Sequence, residues 1–280
     1  MYNIPMEYIK PWSDIFIKYL FGTPENNEIL LAFVNAVLTS KGYDRIVSVQ
    51  IVNPFSIKDF SLDKESILDV KAIDENKRMY DIEIQSSESG SYVNRILYYW
   101  STVYASQLKE TEVYGKLKPV ISINMLNFTL FESIKEFHSL FILKEKDIDV
   151  ILTDHLSLHF IELPKLHQIH STLEKFLYFI KNEGKEDAVL ATLIGEDILL
   201  NKAHNQYKKF TSDEEMRDLY LRREIFLRDK LSAIEDAREK GIKEGKLEDA
   251  RKMLSHNLTI ELITDVTGLT IDEVKSLKCK

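Results

Sequence analysis

Asp69, Lys71, Asp81, Glu83 and Gln85 fall within one stretch, residues 66–85, SILDVKAIDENKRMYDIEIQ. Its two alternating runs flank a polar DENKR centre, the pattern of a β-hairpin. In the first strand Leu68, Val70 and Ala72 share one face, and Asp69 and Lys71 the other. In the second, Tyr80, Ile82 and Ile84 share a face opposed by Asp81, Glu83 and Gln85. A turn centred on Asn76 sets Asp69 across from Glu83 and Lys71 across from Asp81. Carboxylates directly opposed on neighbouring strands lie about 4.5–5.5 Å apart at Cβ and repel. Such a pair is tolerated if one acid is protonated, or if both grip a hard divalent cation through oxygen. The second alternative is the one with chemistry in it, because a cation so held activates water and neutralises a phosphate ester.

The elements that position this hairpin follow in order. Trp12, Ile15, Phe16, Tyr19 and Leu20 have the spacing of one buried helical face over 12–21, with Asp14 and Lys18 neighbours beside it. A second helix is expected from Thr23 as N-cap and Pro24 as first residue to about Leu38, with Gly42 beyond it. Glu28 reads as a solvated first-turn acid. IVSVQIV (46–52) reads as a strand, SSESGS as a turn after the hairpin, and 91–108 as a long helix. That helix has an inner stripe of Val93, Ile96, Leu97, Trp100, Val103, Tyr104 and Gln107, with Arg95 and Tyr99 one turn apart at its edge. LKPVISINML (117–126), HSLFILKE (138–145) and LSLHFIEL (156–163) complete the strands. His155 and His159 have a strand's period-two spacing and, like His167 and His170, read as interior or hydrogen-bonded residues better than as a zinc site.

An Asp on one strand and Glu-x-Gln on the next resembles the core of the PD-(D/E)XK nuclease superfamily, and most closely its Rpn-like branch, the recombination-promoting nucleases. DIFIKYLFG (14–22), LDVKA (68–72), IEIQ (82–85), RILYYWSTVYASQL (95–108), LKPVISINML (117–126) and LTDHLSLHFIELPKL (152–166) carry the likeness in the family's order. It implies an α/β fold: a restriction-endonuclease-like αβββαβ core with a mixed sheet flanked by helices, plus a helical C-terminal extension. It implies a Mg²⁺-dependent DNA endonuclease, with Mn²⁺ able to substitute, in recombination, mobile-element or defence settings. Asp69, Glu83 and the Ile84 carbonyl become metal ligands, and Asp14 approaches from the first helix. Lys18, Arg95 and Tyr99 become DNA contacts. The superfamily's motif usually ends in Lys; here Gln85 stands, able to orient water but neither a cation nor a useful base, and Lys71 offers the missing charge.

Beyond about 170 the chain reads as helices, grouped as an extension (171–210) on a 1–170 nuclease-like domain, then a region 211–280. In that region 211–253 is expected as a loosely helical, charge-rich linker. Residues 259–278 are expected as two short helices around Thr267-Gly268, in the shape of a helix-turn-helix suited to protein contacts or a homodimer. The 280 residues suffice for a sizeable core, and 44% hydrophobic with 29% charged residues is ordinary for a globular protein. Cys279 is the single cysteine, no apolar run approaches a membrane span, and MYNIPMEYIK lacks a signal-like segment, so the expectation is cytoplasmic. A net charge of −8 argues against non-specific coating of nucleic acid. It leaves an alternative open, a catalytically weak nuclease-fold module that acts by binding. Transcriptional regulation through 259–278 is a weaker one.

Overall fold

The computed structural model describes residues 8–56, 69–86 and 90–277. Leu68 and Cys279, on which two expectations fall, lie outside them, as does part of the SSESGS turn. Helix α1 (Asp14–Gly22) opens at Ser13, whose hydroxyl accepts from the Phe16 amide and satisfies one of the helix's orphan donors. Ile15, Phe16, Tyr19 and Leu20 are buried as their spacing demands. The second helix starts later than expected. Pro24–Asn26 forms a 3₁₀ turn before α2 (Asn27–Thr39), and Thr23 Oγ1 donates back to Tyr19 O at 2.6 Å. Thr23 therefore closes α1 instead of capping α2.

Six strands follow: β1 (Val49–Ile51), β2 (Val70–Asp74), β3 (Met79–Gln85), β4 (Val120–Leu126), β5 (His138–Lys144) and β6 (Ile151–Glu162). They form one sheet in the order β1-β2-β3-β4-β6-β5. The β3–β4 and β4–β6 pairs are parallel and the others antiparallel. All seven β4 residues are buried, as expected of a parallel strand covered on both faces. With helix α3 (Tyr92–Ala105) between β3 and β4, this is the α/β core with a mixed sheet that the sequence implies.

Helix α3 is rotated from its expected face. Tyr92, Ile96 and Val103 are buried, whereas Val93 and Leu97 are exposed. Tyr92 and Ile96 pack on Leu126, Leu156, Leu158 and Phe160, with Trp100 beside them. This broad apolar floor turns the two smaller aliphatic side chains outward. The helix ends before Gln107, whose amide instead makes a reciprocal pair with the Lys118 backbone.

After the sheet come α4 (Thr172–Asn182), α5 (Ala188–Glu196), α6 (Ile198–Ser212) and α7 (Glu214–Ser255). A Ser171/Glu174 capping box opens α4, and Asp187 and Asp197 cap α5 and α6. The chain divides into two compact units, Met1–Tyr220 and Leu221–Lys280. The region expected as a loose linker is one continuous helix of 42 residues. Its Glu, Lys, Arg, Ala and Leu content outweighs Gly241 and Gly245, each costing about 1 kcal/mol relative to Ala. Pairs such as Glu248–Lys252, at 2.9 Å, lie along it. In the second unit the end of α7 joins α8 (Ile260–Thr267) and α9 (Ile271–Ser276) around Ala250, Ile263, Leu269 and Val274. Gly268 stops α8 at φ +67°, a left-handed position suited to glycine.

Candidate active site

The site is built on the β2–β3 hairpin, and Asp74 fixes the turn. Its Oδ1 accepts from the amides of Asn76 (2.8 Å) and Arg78 (2.9 Å), and its Oδ2 from Arg78 Nε (2.6 Å) and Tyr80 OH (3.0 Å). A buried carboxylate with four donors is fully satisfied, and the turn length is locked. The resulting register pairs Val70 with Ile82 and Lys71 with Asp81. Continued by one residue, it sets Asp69 across from Glu83. Val70, Ala72, Tyr80, Ile82 and Ile84 are buried on one face. Asp69, Lys71, Asp81, Glu83 and Gln85 occupy the other, the face that α3 covers further along the sheet.

Asp69 is held from several directions. Its Oδ2 lies 3.1 Å from Lys71 Nζ, and its Oδ1 accepts from Asn53 Nδ2 at 3.4 Å. Lys18 reaches in from α1, donating to Asp69 O and Asn53 O, both at 2.6 Å. Asn53 also accepts from the Lys71 amide at 2.7 Å. Burial lowers the Lys18 ammonium to about 8, an effect that the charge of Asp69 opposes. Lys18 is itself only 7% exposed. The DNA contact expected of it is therefore replaced by a backbone clamp on the strand that carries Asp69.

Glu83 lies 3.3 Å from Arg95 Nη2, and the same nitrogen donates to Gln85 Oε1 at 2.8 Å. Burial pushes the Glu83 carboxyl up to about 7; Arg95 pulls it down, while Asp69 and Asp14 push it further up. Asp14, first residue of α1, accepts from the Ile15 amide at 2.8 Å. The structure thus brings Asp14, Asp69 and Glu83 within electrostatic reach of one another. Ile84 is buried on the opposite face of the sheet and pairs with Met125 in the β3–β4 register. Tyr99 is half-buried on α3, its ring 6.0 Å from that of Tyr98.

One acid escaped the sequence reading. Asp81, placed there only as a partner for Lys71, shares a hydrogen bond with Asp69, and burial first and then the Asp69 charge raise its carboxyl far above the usual range. Its signal was the period-two step from Glu83, which puts both on one face. Among the described residues Asp81 Oδ1 is buried without a hydrogen-bond partner, as are Arg95 Nε, Tyr92 OH and Asn124 Oδ1. Asn124 neighbours Glu83 in the β3–β4 register. Unsatisfied polar atoms gathered on one face, beside paired acids, are the mark of a site awaiting a polar ligand.

A family model described as PD-(D/E)XK nuclease family transposase matches residues 11–237. The chain belongs to this family. No curated protein and no solved structure matches it. The matched residues span the hairpin, α1 and α3, the three elements that carry the acids and their cations. Among the described residues no three His, Cys, Asp or Glu converge as a metal-holding group. What is present is a two-carboxylate edge of hard oxygen donors with the orphaned Asp81 oxygen beside it. This set fits a magnesium-type ion that keeps most of its own waters.

The histidines lie elsewhere. His155 bonds to Tyr104 OH at 2.8 Å, and His159 sits in the interior, 3.0 Å from His138, which in turn lies 2.9 Å from Ser40 Oγ. Burial depresses His138 to about 2 and His159 to about 4. His155 and His159 are thus hydrogen-bonded or interior as expected, whereas His167 and His170 are exposed. Glu28 is surface-exposed and pairs with Lys202. Among the described residues no helix is long and apolar enough to cross a membrane.

Proposed function

We propose that this nuclease-fold protein is a divalent-metal-dependent DNA endonuclease that hydrolyses phosphodiester bonds, using Mg²⁺ or, in its place, Mn²⁺. The observation that carries this reading is the position of Asp69 and Glu83 on adjoining strands of one register-locked hairpin, facing the same way. Asp69, Glu83 and the Ile84 carbonyl would hold the ion, with Asp14 adding negative charge from α1. A bound ion of this type lowers the pKa of its water and neutralises a phosphate oxygen.

The remaining roles belong to the chain. Lys18 pins the Asp69 backbone through two carbonyls. Gln85 orients water through its amide, and Lys71 supplies positive charge that the motif's usual lysine would bring. Arg95 and Tyr99 of α3 would contact the DNA. The second reading, a weakly active module acting through binding, is favoured by Gln85 and by the net charge of −8. A homodimer through the helical C-terminal part is compatible with either, since Ile225, Leu231, Ile234 and Ile242 stand exposed along α7.

The test is nicking of supercoiled plasmid in Mg²⁺ or Mn²⁺ by the wild type, Asp69→Ala and Glu83→Ala, with circular dichroism to verify folding. Loss of at least about 100-fold in both variants is expected, the scale set by removing a group that stabilises transition-state charge. Equal nicking by all three proteins would mean that these acids are not the site.

A further inference from the structure

Arg95 is more than a neighbour of the acids. Its Nη2 is 2.8 Å from the neutral Gln85 oxygen but 3.3 Å from the Glu83 carboxylate. A guanidinium locked into a structural ion pair uses its fork, two parallel N–H groups on one carboxylate. Here Nε is buried with no acceptor among the described residues, and the guanidinium carbon lies 5.0 Å from the centre of the Tyr92 ring. The group is parked, held firmly by an amide and loosely by an acid. Only an acceptor can serve as that parking place; a lysine at position 85 could not.

Both candidate ligands therefore already carry a cation of the chain's own, Asp69 through Lys71 and Glu83 through Arg95. An incoming divalent ion meets these charges. Arginine cannot shed its proton, so its repulsion from the ion is relieved only by movement. The Arg95 side chain keeps 33% of its surface in solvent, which gives it a way out.

Resting on the metal-nuclease reading, we propose that Arg95 is a positioning counter-ion that competes with the divalent ion for Glu83. Ion binding then releases its guanidinium to the phosphate of the nucleic acid. The metal and the DNA would be coupled through one side chain, each improving the other's binding as linkage requires.

The experiment measures Mn²⁺ binding to the full chain without DNA, by electron paramagnetic resonance, for wild type, Arg95→Gln and Arg95→Lys. Arg95→Gln should bind Mn²⁺ about tenfold more tightly, within the range of ordinary site coupling, and Arg95→Lys should stay near wild type. A short duplex, titrated by fluorescence anisotropy in Ca²⁺, should bind Arg95→Gln more weakly than wild type. Mn²⁺ affinity unchanged or reduced in Arg95→Gln overturns the proposal, as does an equal gain in Arg95→Lys, which keeps the charge. An Asp69→Asn/Glu83→Gln double variant separates the two levels. If it binds Mn²⁺ like wild type, the metal-site reading itself fails and the proposal with it. If it loses Mn²⁺ while Arg95→Gln is unchanged, only the role of Arg95 is refuted.

Discussion

Acidification should destabilise the first unit through the His138–His159 pair well before most carboxylates protonate. Both rings are buried and share a hydrogen bond, with Ser40 at one end and the Lys41 ammonium donating to His138 O. Burial holds His138 to about 2 and His159 to about 4. The unfolded chain takes up protons on these rings near pH 6.5, whereas the folded one does not. Their contribution is thus intact above pH 6.5 and is lost as pH falls from there toward the folded values. At pH 5 each ring costs about 2 kcal/mol by this linkage. Since one proton affects both rings, the pair costs about 2–4 kcal/mol, a large share of a typical 5–15 kcal/mol stability. For a unit of this size that corresponds to a fall in Tm of about 5–15 °C. The assay is thermal unfolding from pH 7.5 to 5, beside a His138→Leu/His159→Leu variant. Replacing both partners by apolar groups costs little in itself, and Ser40 Oγ keeps its bond to Val37 O. The variant should lack most of the acid slope. Parallel loss of stability in the two proteins would refute the reasoning.

Two other outcomes follow from the same structure. Gln85→Lys, which restores the superfamily's usual residue, should lower plasmid nicking, because it places an ammonium where Arg95 Nη2 now has its 2.8 Å acceptor; a gain in activity would show that Arg95 is not held there. Truncation after Tyr220, the boundary of the first compact unit, should leave a folded protein by circular dichroism. It should also convert a dimer to a monomer by light scattering, and an unchanged subunit count would remove self-association through the C-terminal helices.

The hairpin was legible because alternation is a local signal: hydrophobic Val70, Ala72, Tyr80, Ile82 and Ile84 fix which side the acids take, and a one-residue slip would bury Asp69 or Glu83 among them. The α1 face was legible for a similar reason. What escaped were matters of tertiary contact. Lys18 reads only as a neighbour of Asp14 beside the α1 face, and only the fold brings two carbonyl oxygens from Asn53 and Asp69 within its reach. The rotation of α3 depends on the floor formed by Leu126 and Phe160, residues far along the chain. Asp81 was legible only as a partner for Lys71, because its bond to Asp69 runs diagonally across the two strands. The continuity of α7 through Gly241 and Gly245 could have been weighed from composition, since two glycines cannot undo 42 residues of good helix formers.

The four hydrogen bonds that Asp74 accepts have an evolutionary corollary. They make the bend a ruler: the exposed Asn76 side chain can change, but the count between Asp69 and Glu83 cannot. Gaining or losing a single residue there would carry one acid through the sheet to the oily side, beside Tyr80 and Ile82. Divergent descendants of this chain should therefore differ in the letters of that bend long before they differ in its length.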